Sequence, residues 1–405
     1  MAIKCHIITC GKVDKKIILI IIGGLVYCLQ LFIETNSKIF GNEENKFPII
    51  YTMMYSICLC LSFSLLLLFR VFNKRKKKKI TSALVENKEN DILDINDTNT
   101  TKRISRKEKF LWILLVSVVD FTAYLFSSIF WLPNENYVDT LQTNMIFMSI
   151  FSCFILKNKL YKHHYLCISV IIIRSIAYTV IFKVFYRDPN RQKNFIPFTI
   201  SFITEIGFSL TYVMYKYYML IKYMNPYEIM FFEGVFELFF SIITLIISTS
   251  IGKLDKISDF LKDFKGLEVL ILISWVIANF IYHAIFIKVI DIFSPFYIHI
   301  SLLISEFINF FYKISEGLAI GQIIFYVISF IVCPFMILVF LEIIELNFCG
   351  FSEMTKKNIE LRAQLDCVVN DENDGQKISV GADGYSIELE RQSQKLVHLD
   401  TMVDN

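Results

Sequence analysis

The chain has 405 residues, 55% of them hydrophobic, with a mean hydropathy of +0.53 and a formal net charge of only +3. This balance excludes a disordered or ordinary water-soluble chain, and the surplus positive charge is too small to imply a nucleic-acid partner. About ten long apolar stretches separated by short polar loops instead describe a polytopic membrane protein, so its partners are the lipid bilayer and whatever it handles inside it.

A run of about 18 apolar residues crosses a hydrocarbon core about 30 Å thick as a helix. In chain order the expected helices are Ile17 to Ile33, Pro48 to Phe72, Phe110 to Trp131, Val138 to Leu156 and His163 to Phe185. The second five are Phe195 to Leu220, Tyr227 to Ser250, Leu267 to Ile290, Ser294 to Tyr312 and Ile320 to Ile344. These are nearly continuous runs of Ile, Leu, Phe and Val rather than the short alternating segments of a barrel, so the fold class is all-α. The first follows Lys12, Lys15 and Lys16 without a small-residue cleavage site, and is expected to remain as a signal anchor. Ten scattered cysteines show no metal-like spacing and read as small core residues.

Basic residues set the orientation. The N-terminus carries Lys4, Lys12, Lys15 and Lys16, the second connection opens with Lys74 to Lys79, and the fourth has Lys157, Lys159 and Lys162. The connection from Leu132 to Tyr137 has no basic residue. The excess of Lys and Arg on cytosolic loops therefore puts the N-terminus in the cytosol, and an even number of crossings returns the C-terminus there. Arg187, Arg191, Lys193 and the lysines between Lys253 and Lys265 fall on the outer side, against the rule. Two polar segments, Asn73 to Lys109 and Glu345 to Asn405, hold too little apolar surface for a core and are expected to be disordered on the cytosolic side, with a short surface helix in Ser352 to Leu365. The organisation is then residues 1–186 with the 73–109 loop, residues 187–344, and a 345–405 tail, in an endomembrane (Golgi, ER or vesicle) or the plasma membrane.

The two halves resemble each other faintly. The fourth segment ends Phe151-Ser-Cys-Phe-Ile-Leu-Lys157 and the ninth ends Phe307-Ile-Asn-Phe-Phe-Tyr-Lys313, with Leu160 and Leu318 soon after. Leu141-Gln142-Thr143, the run Ile155 to Leu160, Tyr227 to Gly234 and Ser315-Glu316-Gly317-Leu318 look similar to the drug/metabolite transporter superfamily, in its EamA-like, nucleotide-sugar-transporter-like branch. This resemblance covers about Ile17 to Ile344. It implies ten helices as a 5+5 inverted repeat, alternating access around a central cavity walled mainly by helices other than the fifth and tenth, and a carrier with no cofactor. It also leaves room for a homodimer. Two departures bear on that packing: Arg174 stands where the family usually has a small glycine, and Cys333-Pro334 stands in the tenth helix.

Ionisable groups inside a bilayer are costly and face a bundle interior or wet cavity. Asp120, Arg174, Glu205, Glu233, Glu237 and Glu306 fall near helix centres, joined by Gln142, Asn144, Asn279, His283, His299 and Asn309. All but Arg174 are candidate substrate-binding groups; Arg174 reads as a structural ion pair. Glu233 and Glu237 share one helix face at i, i+4, where two carboxylates in low dielectric cannot both ionise readily. They are a candidate proton-coupling pair, unless Glu233 sits in water near the helix end. His163-His164 reads as a solvated turn, and no metal site is assigned.

The expected function is a secondary-active carrier of a small polar metabolite rather than an enzyme. A nucleotide sugar needs cations or helix N-termini for its diphosphate, whereas the central helices supply acid, which favours a cationic or neutral solute, with a proton as coupling ion. The Gly-Ala-Leu-Asn-Lys motif of GDP-mannose carriers is absent. The alternatives are an integral-membrane transferase, for which no Asp-His-His-Cys, His-x-x-x-x-Asp or Gly-x-Ser-x-Gly run is present, and a non-transporting scaffold or receptor derived from a carrier.

Overall fold

The computed structural model describes residues 3–5, 15–36, 47–72, 106–130, 143–178, 195–251, 260, 266–303, 320–346, 355 and 359. The chain divides into two units, Met1–Ser352 and Glu353–Asn405. In the first, the helices are α1 (Lys15–Asn36), α2 (Pro48–Cys60, continued as one apolar span Pro48–Phe72), α3 (Arg106–Phe130), α4 (Thr143–Ile155) and α5 (Lys162–Tyr178). They are followed by α6 (Phe195–Leu220), α7 (Pro226–Ile251), α8 (Leu267–Ile292), the helical residues 298–303 (α9) and α10 (Ile320–Phe340). In the second unit, the Ile359 N–H donates to the Thr355 carbonyl at 3.0 Å.

The described chain is thus all-helical but for one small departure, an antiparallel pairing of Ile3–Cys5 (β1) with Ile344–Leu346 (β2). Two expected boundaries move. The 73–109 loop ends early because α3 already begins at Arg106, and the tail begins beyond β2. The rest of both polar segments, including most of Ser352 to Leu365, lies outside the described residues.

Among the described residues, five helices are long and apolar enough to cross a membrane: Pro48–Phe72, Lys107–Ile129, Pro226–Ser250, Leu267–Ile292 and Ile323–Phe340. The side-chain distribution is the reverse of a water-soluble protein. Phe154 is 79% exposed and Phe32, Ile331 and Leu270 are also on the outside, while Asp120, Glu205, Glu233, Glu237 and Asn279 are buried. An apolar exterior this extensive needs an apolar solvent. Hydroxyls behave accordingly, closing onto carbonyls one turn back: Ser117 to Ile113, Thr122 to Val118, Ser149 to Met145 and Thr244 to Phe240. Each thereby satisfies its donor without water.

Packing is heaviest between α2 and α7, α3 and α6, α4 and α6, and α1 and α8, with α5 against α10. Gly234 explains the closest of these approaches. A Cβ there would fall 2.6 Å from Leu59 Cβ and 2.7 Å from the Cys60 nitrogen, so only glycine lets α7 lie on the α2 backbone. Just beyond that contact α2 tightens at Leu61, whose carbonyl accepts from both the N–H and the hydroxyl of Ser64. The C-terminal end of α8 is capped by Lys216, which donates to the carbonyls of Ile290 and Asp291 at 3.0 and 2.9 Å, a favourable place for a cation. Around these contacts Tyr51, Tyr55, Tyr218, Met230 and Trp275 fill the core.

Candidate functional site

The middle of the bundle holds three carboxylates. Asp120 projects from α3, and Glu233 and Glu237 from one face of α7, each buried, with one oxygen from each within 4.8 Å of the others. The helical period puts the two glutamates one turn apart, and the α3–α7 contact brings in the aspartate. Glu233 is fully buried, so its water-exposed alternative does not hold.

Hydroxyls surround the acids. The Tyr215 hydroxyl of α6 donates to Glu233 Oε2 at 2.5 Å, a short hydrogen bond. Tyr55 of α2 and Thr211 of α6 adjoin Asp120. Tyr55 stacks on Tyr124 with centroids 3.8 Å apart and meets the edge of His283 at 4.9 Å. Asp120 Oδ2, Glu233 Oε1 and both Glu237 oxygens are buried and make no well-aligned hydrogen bond among the described residues, while the Asp120 and Glu237 carboxyls lie within hydrogen-bonding reach of each other. Three acids so close, in a low dielectric, cannot all be ionised unless a cation joins them. The arrangement can therefore hold protons, or exchange them for a cation.

The other candidates are distributed around this centre. Asn279 and His283 lie one turn apart on α8; the Asn279 amide donates to the Trp275 carbonyl at 3.0 Å and its own oxygen is buried without a hydrogen-bond partner among the described residues. Asn144 of α4 accepts from the Ser209 hydroxyl of α6 at 2.7 Å, Ser209 also closes onto the backbone carbonyl of Glu205 one turn back at 2.6 Å, and the Glu205 side chain is itself buried. His299 is buried on α9. Gln142, Glu306 and Asn309 lie outside the described residues. Arg174 of α5 sits with its guanidinium carbon 5.9 Å from the Phe325 ring centroid of α10.

Sequence reasoning missed Tyr215, Tyr55 and Thr211. They sit in apolar runs where a tyrosine or threonine reads as core, and no spacing marks them. It also misread His163-His164. His163 is only 3% exposed and its Nε2 lies 3.2 Å from Glu342 Oε1, because α10 packs on α5 and ends there; this is an internal contact, not a solvated turn. Two groups of three described side chains have metal-capable spacing, Asp120, Glu233 and Glu237, and His163, His164 and Glu342. No protein-family profile and no curated protein matches this chain.

Proposed function

We propose that the protein is a secondary-active membrane carrier of the drug/metabolite transporter type, moving a small polar, cationic or neutral metabolite by alternating access with proton coupling. The observation that carries this reading is the buried convergence of Asp120, Glu233 and Glu237 from α3 and α7 beneath Tyr215. In a bilayer such groups mark ion and substrate paths. Glu237, buried beside Asp120 and without a well-aligned hydrogen bond among the described residues, is the proton carrier in this reading, while Tyr215 fixes Glu233. Asn279 and His283 complete the substrate wall.

The packing pattern supports ten crossings as an inverted 5+5 repeat. Exchanging each helix with the one five places along converts α1–α8 into α6–α3, α2–α3 into α7–α8, and α3–α7 into α8–α2; all of these pairs are in contact. The α2–α7 and α5–α10 pairs map onto themselves. The α4–α6 contact maps onto α9–α1, where the Ser301 hydroxyl donates to the Ile20 carbonyl at 3.2 Å. Even the close approaches correspond, Gly207 of α6 against Ala123 of α3 and Gly23 of α1 against Ile285 of α8. The acids then lie where the two repeats meet, as a carrier's midplane site does. The pairing of β1 with β2 suits termini on one side, the cytosolic side by the charge rule.

The test is uptake by the purified chain in proteoliposomes under an imposed proton gradient, against amines, nucleobases, sugars and nucleotide sugars. Gradient-driven accumulation of one amine or neutral solute is the expected result. Accumulation of a nucleotide sugar alone, or of nothing in a well-folded preparation, contradicts the proposal.

A further inference from the structure

We infer that His163, His164 and Glu342 form a binding site for a divalent transition-metal ion of the zinc class, fastening the end of α10 to the start of α5. The site is separate from the acidic centre and does not depend on the transport reading.

The ligand set is two imidazoles and one carboxylate, a combination that binds zinc with a fourth position left for water. One nitrogen from each histidine and one Glu342 oxygen lie within 4.8 Å of one another. The decisive distance is the 3.2 Å between His163 Nε2 and Glu342 Oε1. Two atoms each about 2.0 to 2.2 Å from one tetrahedral ion stand about 3.4 Å apart, so this pair already has nearly the spacing of co-ligands. Neither nitrogen of the buried His163 ring makes a well-aligned hydrogen bond among the described residues. His163 is therefore aimed at Glu342 without the alignment of a good hydrogen bond.

The backbone explains how the carboxylate is placed. α10 ends with Glu342 N–H donating to the Val339 carbonyl and Ile343 N–H to the Leu338 carbonyl, the pattern of a Schellman cap. The residue after such a helix end takes a left-handed conformation and is usually glycine, yet here it is Glu342 at φ +57°. Lys157 and Tyr223 take the same conformation, so it does not by itself mark a site; here it turns the Glu342 carboxylate toward His163. On the other arm, the Tyr161 N–H donates to His164 Nδ1 at 2.9 Å, and Tyr161 stacks on both imidazoles. Accepting through Nδ1 fixes the His164 ring, and Nε2, which is within reach of the Phe340 backbone, would exchange that contact for the ion. His164 and Glu342 are half-buried, so the fourth position opens outward.

The experiment is titration of the chelator-treated full-length protein in detergent with Zn2+, and with Co2+ as a spectroscopic probe. About one ion per chain should bind, and the Co2+ spectrum should be tetrahedral without a thiolate charge-transfer band, which separates this site from the ten cysteines. Glu342→Gln and His164→Gln should each weaken Zn2+ binding by about tenfold or more while thermal unfolding of the metal-free protein is retained. If His163→Asn fails to fold, those two variants carry the test. Absence of stoichiometric Zn2+ binding by folded protein, binding unaltered in Glu342→Gln and His164→Gln, or a Co2+ spectrum dominated by thiolate would each overturn the inference.

Discussion

The bundle buries two polar clusters that answer the same physical problem in opposite ways. At the α3–α7 contact, three acids meet with hydroxyls as their neighbours and no basic group in the cluster among the described residues, so their charge must be met by protons or a cation. At the α5–α10 contact, His163 faces Glu342, so a basic and an acidic side chain meet within the protein. The first cluster is unsuited to holding a structure together, since unpaired buried charge is destabilising. The second is suited to it. Variants of the acids should therefore cost transport, and a variant of the buried His163 should cost stability.

The largest effect should come from Asp120→Asn, which keeps the shape and removes one of the three acids. Uptake should fall by about tenfold or more, the loss of one charged contact, with yield and melting behaviour close to wild type. A folded variant with unchanged uptake would remove Asp120 from the site. Next is Gly234→Ala, which drives a methyl into the α2 backbone behind the acids. Overpacking of this kind costs about 1 to 3 kcal/mol, to be read as a lower melting temperature in detergent; an unchanged melting temperature would mean that α2 and α7 are not so close.

His163→Asn, which removes a buried ring from the α5–α10 contact, should lower the melting temperature in detergent and should leave the initial rate of uptake unchanged. A loss of transport greater than the loss of folded protein would erase the contrast between the clusters. The smallest effect belongs to Lys222, whose ammonium donates to Glu108 Oε1 at 2.8 Å on the surface. That hydrogen bond raises the lysine pKa. A raised lysine pKa adds stability below the unfolded value, about 10.4, and the gain is lost as the pH climbs through the folded value. Lys222→Gln should therefore shift thermal unfolding slightly at neutral pH and not at all in strong alkali; an equal shift at both would assign the effect to packing.

Much of this was legible in the chain. The i, i+4 spacing of Glu233 and Glu237 announces a shared face, and uninterrupted Ile, Leu and Phe announce helices that turn apolar surface outward. What spacing within one helix cannot reveal is which other helix arrives. Asp120 joins the pair only because α3 packs on α7, and Tyr215 reaches Glu233 only because α6 brings it there. His163 shows the same limit from the other side: beside Lys162 it reads as a wet turn, and it becomes internal because α10 ends against it. Glu342 gave no signal at all, since a glutamate one residue past a helix is ordinary until its backbone is seen to be left-handed.

The central claim is that the acidic cluster exchanges a proton for substrate, and Glu237→Gln tests it most directly. The amide mimics a permanently protonated acid, so with the solute found by the uptake panel, proteoliposomes carrying this variant should lose gradient-driven accumulation while retaining counterflow exchange, which needs no net proton release. Accumulation at the wild-type level in Glu237→Gln would contradict the account, and so would loss of accumulation and exchange together in a folded variant.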